Sequence, residues 1–352
     1  MTFLTALDLS LPIIQAPMAG TSTPALAAAV SEAGGLGSVA VGATNAEGAA
    51  AMIAELRGLT DRPFNVNLFC HAPAVPDAPV QMAWIAALRP IFADYGAVPP
   101  RALGSPYRSF LTDDAMLALL LQERPRVVSF HFGLPSGERI AALKGAGCLL
   151  LATATSLAEA SAARAAGIDA VVAQGWEAGG HRGMFDPAAP DMRLGTMALT
   201  RLLVRQAGLP VIAAGGIMDG ASIAAALSLG AVAAQMGTAF IACPESAADQ
   251  PYRDALAGAA AWETRMTDAI SGRPARCLAN LFTAWGEINA RRPRPAYPIA
   301  YDVGKALNAA AKAAGEHGFG AQWAGQGAPL ARAMPAAALM AVLAEELGAA
   351  RR

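Results

Sequence analysis

The chain has 352 residues, 55% of them hydrophobic and 15% charged, with a formal net charge of −1. That balance supplies a large buried core and suits one α/β barrel with an addition. The one basic cluster, RRPRP at 291–295, is too short and isolated to read as a nucleic-acid surface.

The apolar bias raises the question of a membrane. The stretch from Leu143 to Gln174 is interrupted by Lys144, Glu159, Arg164 and Asp169 before a bilayer could be spanned. The opening residues, MTFLTALDLSLP, lack a basic segment followed by an apolar one, so no secretory signal is expected. These features predict a soluble, cytoplasmic protein. Cys70, Cys148, Cys243 and Cys277 lie far apart, without CxxC pairing. They predict buried free thiols rather than a disulfide framework, and no metal site.

In chain order, the predicted strands begin with LPIIQAP (11–17), AGGLGSVAV (33–41), PFNVNLF (63–69) and RVVSFHF (126–132). They continue with GAGCLLLAT (145–153), AGIDAVVAQ (166–174), AGLPVIAAG (207–215) and LGAVAAQMG (229–237). Most are continuous apolar runs, which indicates strands buried on both faces, as in a parallel sheet. Several follow a glycine suited to the left-handed position that ends a helix. Ala-rich segments at 24–33, 156–166, 196–207 and 220–229 are long enough for crossover helices. Eight such units fit a closed TIM (β/α)8-type barrel better than an open doubly wound sheet. The first strand–helix turn, APMAGTSTP, also lacks the GxGxxG of a dinucleotide fold.

Two stretches exceed a minimal barrel. Residues 70–125 form a long insertion between the third and fourth strands, opening on HAPAVPDAP and then helical. Residues 243–328 follow the eighth strand and predict a smaller, mainly helical accessory domain over the barrel mouth. The expected division is therefore a barrel of 1–242 plus 329–352, and an accessory unit of 243–328. MPAAALMAVLAEELGAARR, near the end of the chain, predicts a closing helix.

Working residues of a barrel lie at the C-terminal ends of its strands. Here these are Ala16, Pro17, Met18, Ala19 and Gly20; then Asn65, Asn67 and His71; then His131 and Gly133. Further along come Gln174, Gly179, Gly180 and His181; Gly215 and Gly216; and Gln235, Met236, Gly237 and Thr238. Glycine turns after the last two strands are where barrels hold a phosphate through backbone N–H groups, although tight turns need glycine for geometry alone. Asn65 and Asn67 share one side by the period of two, and two interior amides imply a polar ligand such as a flavin ring. No GxSxG, HExxH or activated cysteine is present, so a cofactor must supply the difficult chemistry.

The motifs IIQAPMAG (13–20), PFNVNLFCH (63–71), VVSFHFG (127–133), QGWEAGGHRG (174–183), PVIAAGGI (210–217), QMGTAF (235–240) and AYPIAYDVGKAL (296–307) carry a resemblance. In order and spacing they resemble the class I nitronate monooxygenases, formerly grouped as nitropropane dioxygenases. The resemblance implies an FMN-bound barrel that oxidises alkyl nitronates such as propionate 3-nitronate with O2, giving a carbonyl compound and nitrite. It implies flavin contacts from Pro17, Met18, Ala19, Asn67, Gln174, Gly179 and Gly180. Gly215, Gly216, Gln235, Met236, Gly237 and Thr238 would lie toward the phosphate. His181 would be the catalytic group beside the flavin and His131 would line the substrate pocket. Tyr297, Tyr301 and Lys305 would stand at its entrance, where Lys305 could attract an anion.

Two roles are open to His181: chiefly a cation or hydrogen-bond donor holding the nitronate, and secondarily a base toward neutral nitroalkanes. A related flavin barrel with an EAGGH-type turn, the FMN-dependent enoyl-acyl-carrier-protein reductases that use NAD(P)H, is the nearest rival. A flavin-storing protein without turnover is the other. No nucleic-acid or membrane partner is expected, and the apolar composition permits a homodimer.

Overall fold

The structure is a computed structural model that describes residues 3–352. Its strands are β1 (Ile13–Gln15), β2 (Gly37–Ala40), β3 (Phe64–Phe69), β4 (Val127–His131), β5 (Leu149–Ala154), β6 (Ala170–Gln174), β7 (Gly180–His181), β8 (Val211–Ala214), β9 (Ala233–Met236), β10 (Thr264–Thr267) and β11 (Ala275–Leu278). Eight of them form one parallel sheet in the order β1-β9-β8-β6-β5-β4-β3-β2. The two edge strands then meet: Leu36 N–H donates to the Ile13 carbonyl at 2.9 Å and Gln15 N–H to Leu36 at 3.0 Å. The sheet is thus closed into the expected TIM-type barrel; seven of its eight strands fall inside the predicted segments, and β5 runs one residue past its own, to Ala154.

Alternation along each strand divides the core into layers. Val171 and Ala173 face outward into the cluster shared with the surrounding helices, while Ala170 and Val172 face inward. By the same period Gln174 turns inward at the top of β6, as Ala214 does on β8. Leu7 and Leu9 close the lower end of the barrel against Ile14, Leu36 and Val127. Helices end and strands begin on left-handed glycines such as Gly147 (φ 89°) and Gly167 (φ 86°).

The closing helix, Ala336–Ala350, packs Leu339, Met340, Leu343 and Leu347 against Leu26, Val30 and Ile223. It therefore occupies the outer-layer position that follows β9. The Glu346 carboxylate accepts from Gly220 N at 2.9 Å and pairs with Arg332 at 2.7 Å, fixing this helix to its neighbour.

The segment after β9 is not only helical. It holds β10 and β11, which continue through β7 into a three-stranded antiparallel sheet with the register Ala275↔His181. The sequence gives no warning of this sheet because its strands are short and charged at Arg265 and Arg276. The helix Ala78–Asp94 of the insertion sends Trp84, Leu88 and Phe92 into the same core as Phe282, Val303 and Leu307. The insertion's second helix, Asp114–Glu123, instead packs Met116 and Leu120 on the barrel. Among the described residues no helix is long and apolar enough to cross a membrane. All four cysteines are buried and free.

Candidate active site

One cavity of about 630 Å³ opens at the C-terminal end of the barrel. Its floor comes from the inward tops of the strands: Asn67, Ser129, His131, Thr153, Val172, Gln174, Ala214 and Gln235. Its rim includes the turns Pro17-Met18-Ala19, Gly179-Gly180-His181, Gly215-Gly216 and Met236-Gly237-Thr238. The helix Ile299–Ala313 closes one side with Tyr301 and Lys305, and Tyr297 stands just before it. Every residue to which the resemblance gives a role therefore lines this one space, whereas Asn65, His71 and Gly133, also candidates from their strand ends, do not.

The structure assigns several of these residues more specific work. Asn67 Nδ2 donates to Ser129 Oγ at 2.9 Å. Asn65 is buried one step lower, bonded to Ser38 at 3.1 Å, and its Oδ1 has no partner. Only Asn67 reaches the cavity, so the expected pair of ligand-facing amides is one amide. The Gln174 side chain is committed at both ends, donating to the His181 carbonyl at 2.9 Å and accepting from Gly183 N at 2.7 Å. Its amide therefore holds the histidine turn in place while its edge lines the cavity.

Gly179 and Gly180 differ. A Cβ on Gly179 would lie 2.5 Å from the backbone of Ala324 and Gly325, a close approach of the chain to itself. Gly180 has φ 72°, the left-handed region that glycine tolerates and other residues resist. Gly183 leaves room for the His131 ring, which a Cβ there would meet at 2.8 Å. Gly215 and Gly216 have φ values of 123° and 68°, which turn the chain sharply at the cavity rim. The helix after them is capped by its own Asp219 side chain. The single turn Thr238–Ile241 has no side-chain cap, so its first N–H groups remain available at the rim.

His181 is an edge residue of the small sheet as well as a cavity residue. Its Nε2 lies 2.8 Å from Ser271 Oγ, and Ser271 also reaches the Arg273 carbonyl at 3.1 Å. A carbonyl only accepts; with Ser271 donating to it, Oγ receives the proton of His181 Nε2 and leaves Nδ1 unclaimed. Around the ring stand Trp323, Tyr297, Phe132 and Tyr301, with centroids 5.1 to 6.3 Å away. Burial, reinforced by His131, Arg273 and His71, pushes the His181 pKa well below the ordinary imidazole value. A ring so desolvated favours its neutral form.

His131 is neutral as well, its pKa lowered to about 4 by burial and the nearby Arg273 charge. Its Nε2 faces the His181 carbonyl at 3.2 Å and Nδ1 faces Thr153 Oγ1 at 2.9 Å. Nε2 must donate to a carbonyl, so Nδ1 accepts from the threonine, and both nitrogens are used. Lys305 places its ammonium 4.4 Å from the Tyr107 ring centre and 5.3 Å from that of Tyr301. Burial lowers its pKa. Among the described residues it makes no ion pair, so it is a cation held by aromatic faces at the edge of the space.

The sequence did not single out Tyr107, Tyr252, Trp323, Thr153 or Ser271. Tyr107 and Trp323 lie in irregular segments without periodicity, and nothing local marks them. Glu177, the one acid beside the glycine turn, accepts from Thr196 N at 2.8 Å and tethers the helix Thr196–Gln206.

Comparison with known proteins gives a consistent result. A family model described as nitronate monooxygenase matches residues 1–346. A nitronate monooxygenase of Paraburkholderia phytofirmans is 65% identical over 342 residues, covering 97% of this chain and 93% of that protein. The crystal structure of a nitroalkane oxidase from Streptomyces ansochromogenes superposes with a TM-score of 0.90 at 45% identity, over 99% of both chains. FabK from Thermotoga maritima has the same architecture at a TM-score of 0.75 and 31% identity, covering 98% of this chain and 95% of its own. The chain belongs to the nitronate monooxygenase family.

Proposed function

We propose that the protein is an FMN-dependent monooxygenase that oxidises alkyl nitronates, of the propionate 3-nitronate type, to a carbonyl compound and nitrite with O2. The observation that carries this reading is the convergence of His181, His131, Tyr297, Tyr301 and Lys305 on one cavity whose lining also includes the glycine turns Gly179-Gly180 and Gly215-Gly216. The lining fits a flavin nucleotide. Its volume of about 630 Å³ is in the range of cofactor sites. The Gly215-Gly216 turn and the uncapped turn at Thr238 offer backbone donors suited to a phosphate. Gln235, Met18 and Asn67 border the space between.

Bound FMN would supply the electron acceptor and the reductant of O2. The chain's own residues would do the rest. Lys305 attracts the anionic nitronate, and the surrounding aromatic rings exclude water. His181, neutral and with its acceptor nitrogen Nδ1 unclaimed, takes the α-proton of a neutral nitroalkane. His131 lines the pocket with both nitrogens fixed. The match to a protein named nitroalkane oxidase supports the proton-accepting role. In this reading the barrel comprises 1–242 and 329–352, and residues 243–328 cover its mouth with help from the helix Ala78–Asp94.

The test is the visible spectrum of the purified protein, followed by nitrite release and oxygen uptake with propionate 3-nitronate. A yellow protein that releases nitrite is expected. A colourless protein that takes up no FMN defeats the proposal. Anaerobic bleaching by NADPH without nitrite formation would instead favour an enoyl-reductase activity.

A further inference from the structure

The FHFG segment that ends β4 has a feature that lining the cavity does not account for. Phe132 is 1% exposed and has φ 74°, a left-handed conformation that a bulky residue adopts only under constraint. Its ring stands at the centre of a cluster, with ring centres of His131 at 4.4 Å, His181 at 5.5 Å, Tyr297 at 5.2 Å and His71 at 6.3 Å. On the same ring rests the Arg273 guanidinium, 4.3 Å from the centroid.

Arg273 is itself anomalous. It is 3% exposed, and among the described residues it forms no ion pair. One guanidinium nitrogen donates to the Met184 carbonyl, while Nε has no partner. Burying a cation without a carboxylate costs stability. The aromatic face offsets part of that cost.

We propose that Phe132 and Arg273 act together as positioning residues: the strained Phe132 ring holds the unneutralised guanidinium behind His131 and His181, and that charge keeps both imidazoles in the neutral form. Neither residue lines the cavity, so both act through the histidines. The lowered pKa values of His71, His131 and His181, each set first by burial and then in part by Arg273, agree with this arrangement. Burial brings the Arg273 pKa only to about 10, so the guanidinium remains charged at neutral pH.

The other groups that face the cluster do not cancel it. Glu159 and Asp186 act on Arg273 at a distance, but Glu159 is engaged by Thr155 and Phe185 N. Asp186 is exposed. Arg182, paired with Asp191 at 2.8 Å, acts on His131 in the same direction as Arg273, and Tyr297 is held protonated by burial. At such ranges and an effective dielectric constant of about 20, one unit charge moves a titration by about one unit.

The experiment uses the holoenzyme of wild type, Arg273→Met, Arg273→Lys and Phe132→Leu. The histidine ring resonances are titrated by NMR, which the presence of four histidines makes tractable. In wild type, the three clustered imidazoles should remain neutral below pH 6. In Arg273→Met their midpoints should rise by about one unit, and Arg273→Lys should restore them. Phe132→Leu, which keeps apolar bulk, should also raise them by freeing the guanidinium. This inference rests on the reading of His181 as the working group only for its kinetic arm. There, the acid limb of kcat/KM for a neutral nitroalkane should move up by the same amount. Unchanged midpoints in both Arg273→Met and Phe132→Leu, or a wild-type His181 that titrates near pH 6.5, overturn the proposal. Shifted midpoints with an unmoved acid limb leave the electrostatic pair standing and overturn the role given to His181.

Discussion

Replacing Gly179 by alanine adds one methyl group where the histidine turn crosses the segment at 324–325. The new Cβ would lie 2.5 Å from the carbonyl carbon of Ala324 and 2.5 Å from the Gly325 nitrogen, both backbone atoms. Carbon atoms pack without penalty at about 3.5–4.0 Å, so one strand of chain must retreat by about 1 Å. Overpacking of this kind costs about 1–3 kcal/mol, a melting shift of about 1–4 °C in a chain of this size. The retreat would displace β7, whose His181 carbonyl receives both Gln174 and His131, so catalysis should fall along with stability. Gly325 sits on the other side of the same crossing, where a Cβ would meet the Glu177 carbonyl at 2.6 Å and Gly179 N at 3.0 Å. Gly325→Ala should therefore behave alike, and the double variant should lose less than the sum. Thermal melts followed by circular dichroism, with nitrite release as the second readout, make the check. A Gly179→Ala protein that melts and turns over like wild type would refute the reasoning.

Other expectations follow from the same geometry. His181→Asn should cut turnover of neutral nitroalkanes by about 10²-fold or more while reducing nitronate turnover far less; equal losses would contradict its role as the base. Lys305→Met should raise KM for propionate 3-nitronate by about tenfold at low ionic strength, with the difference shrinking as salt is added; a salt-independent KM in wild type would contradict steering by this cation. Acid should weaken the fold in a defined window. His71 and His131 titrate near pH 4 when folded, whereas their unfolded values lie near 6.5. The unfolded chain thus takes up protons first, so stability present above about pH 6.5 is lost as pH falls toward 4, by up to about 3 kcal/mol per histidine. Urea midpoints measured at pH 7.5, 5.5 and 4.5 should fall in that order, and a flat profile would refute the buried-neutral assignment.

The barrel was legible in the sequence because its signals are local. An apolar strand buried on both faces is a continuous run, and the glycines at 147 and 167 mark helix ends by a conformation that any neighbour with a side chain resists. The candidate site residues could be placed for the same reason, since strand ends in a parallel barrel all point to one mouth. What residues such as Gln174 and Gly179 do there was not legible. Whether the Gln174 amide is free for a ligand or spent on His181 and Gly183 depends on a turn folding back on its own strand. Whether Gly179 is small for a ligand or for Ala324 depends on contact between segments 145 residues apart.

The sequence alone determined the closed parallel architecture, the position of the working face and the set of residues gathered on it. Tertiary structure decided the rest: that β11 captures His181 as a strand, that Trp84 and Phe92 join the accessory core, and that Arg273 stands unpaired behind the histidines. The physical reason is the range of the interactions. Periodicity and backbone conformation are written in neighbouring residues, whereas burial and charge at a site are summed over segments that meet only in the folded chain.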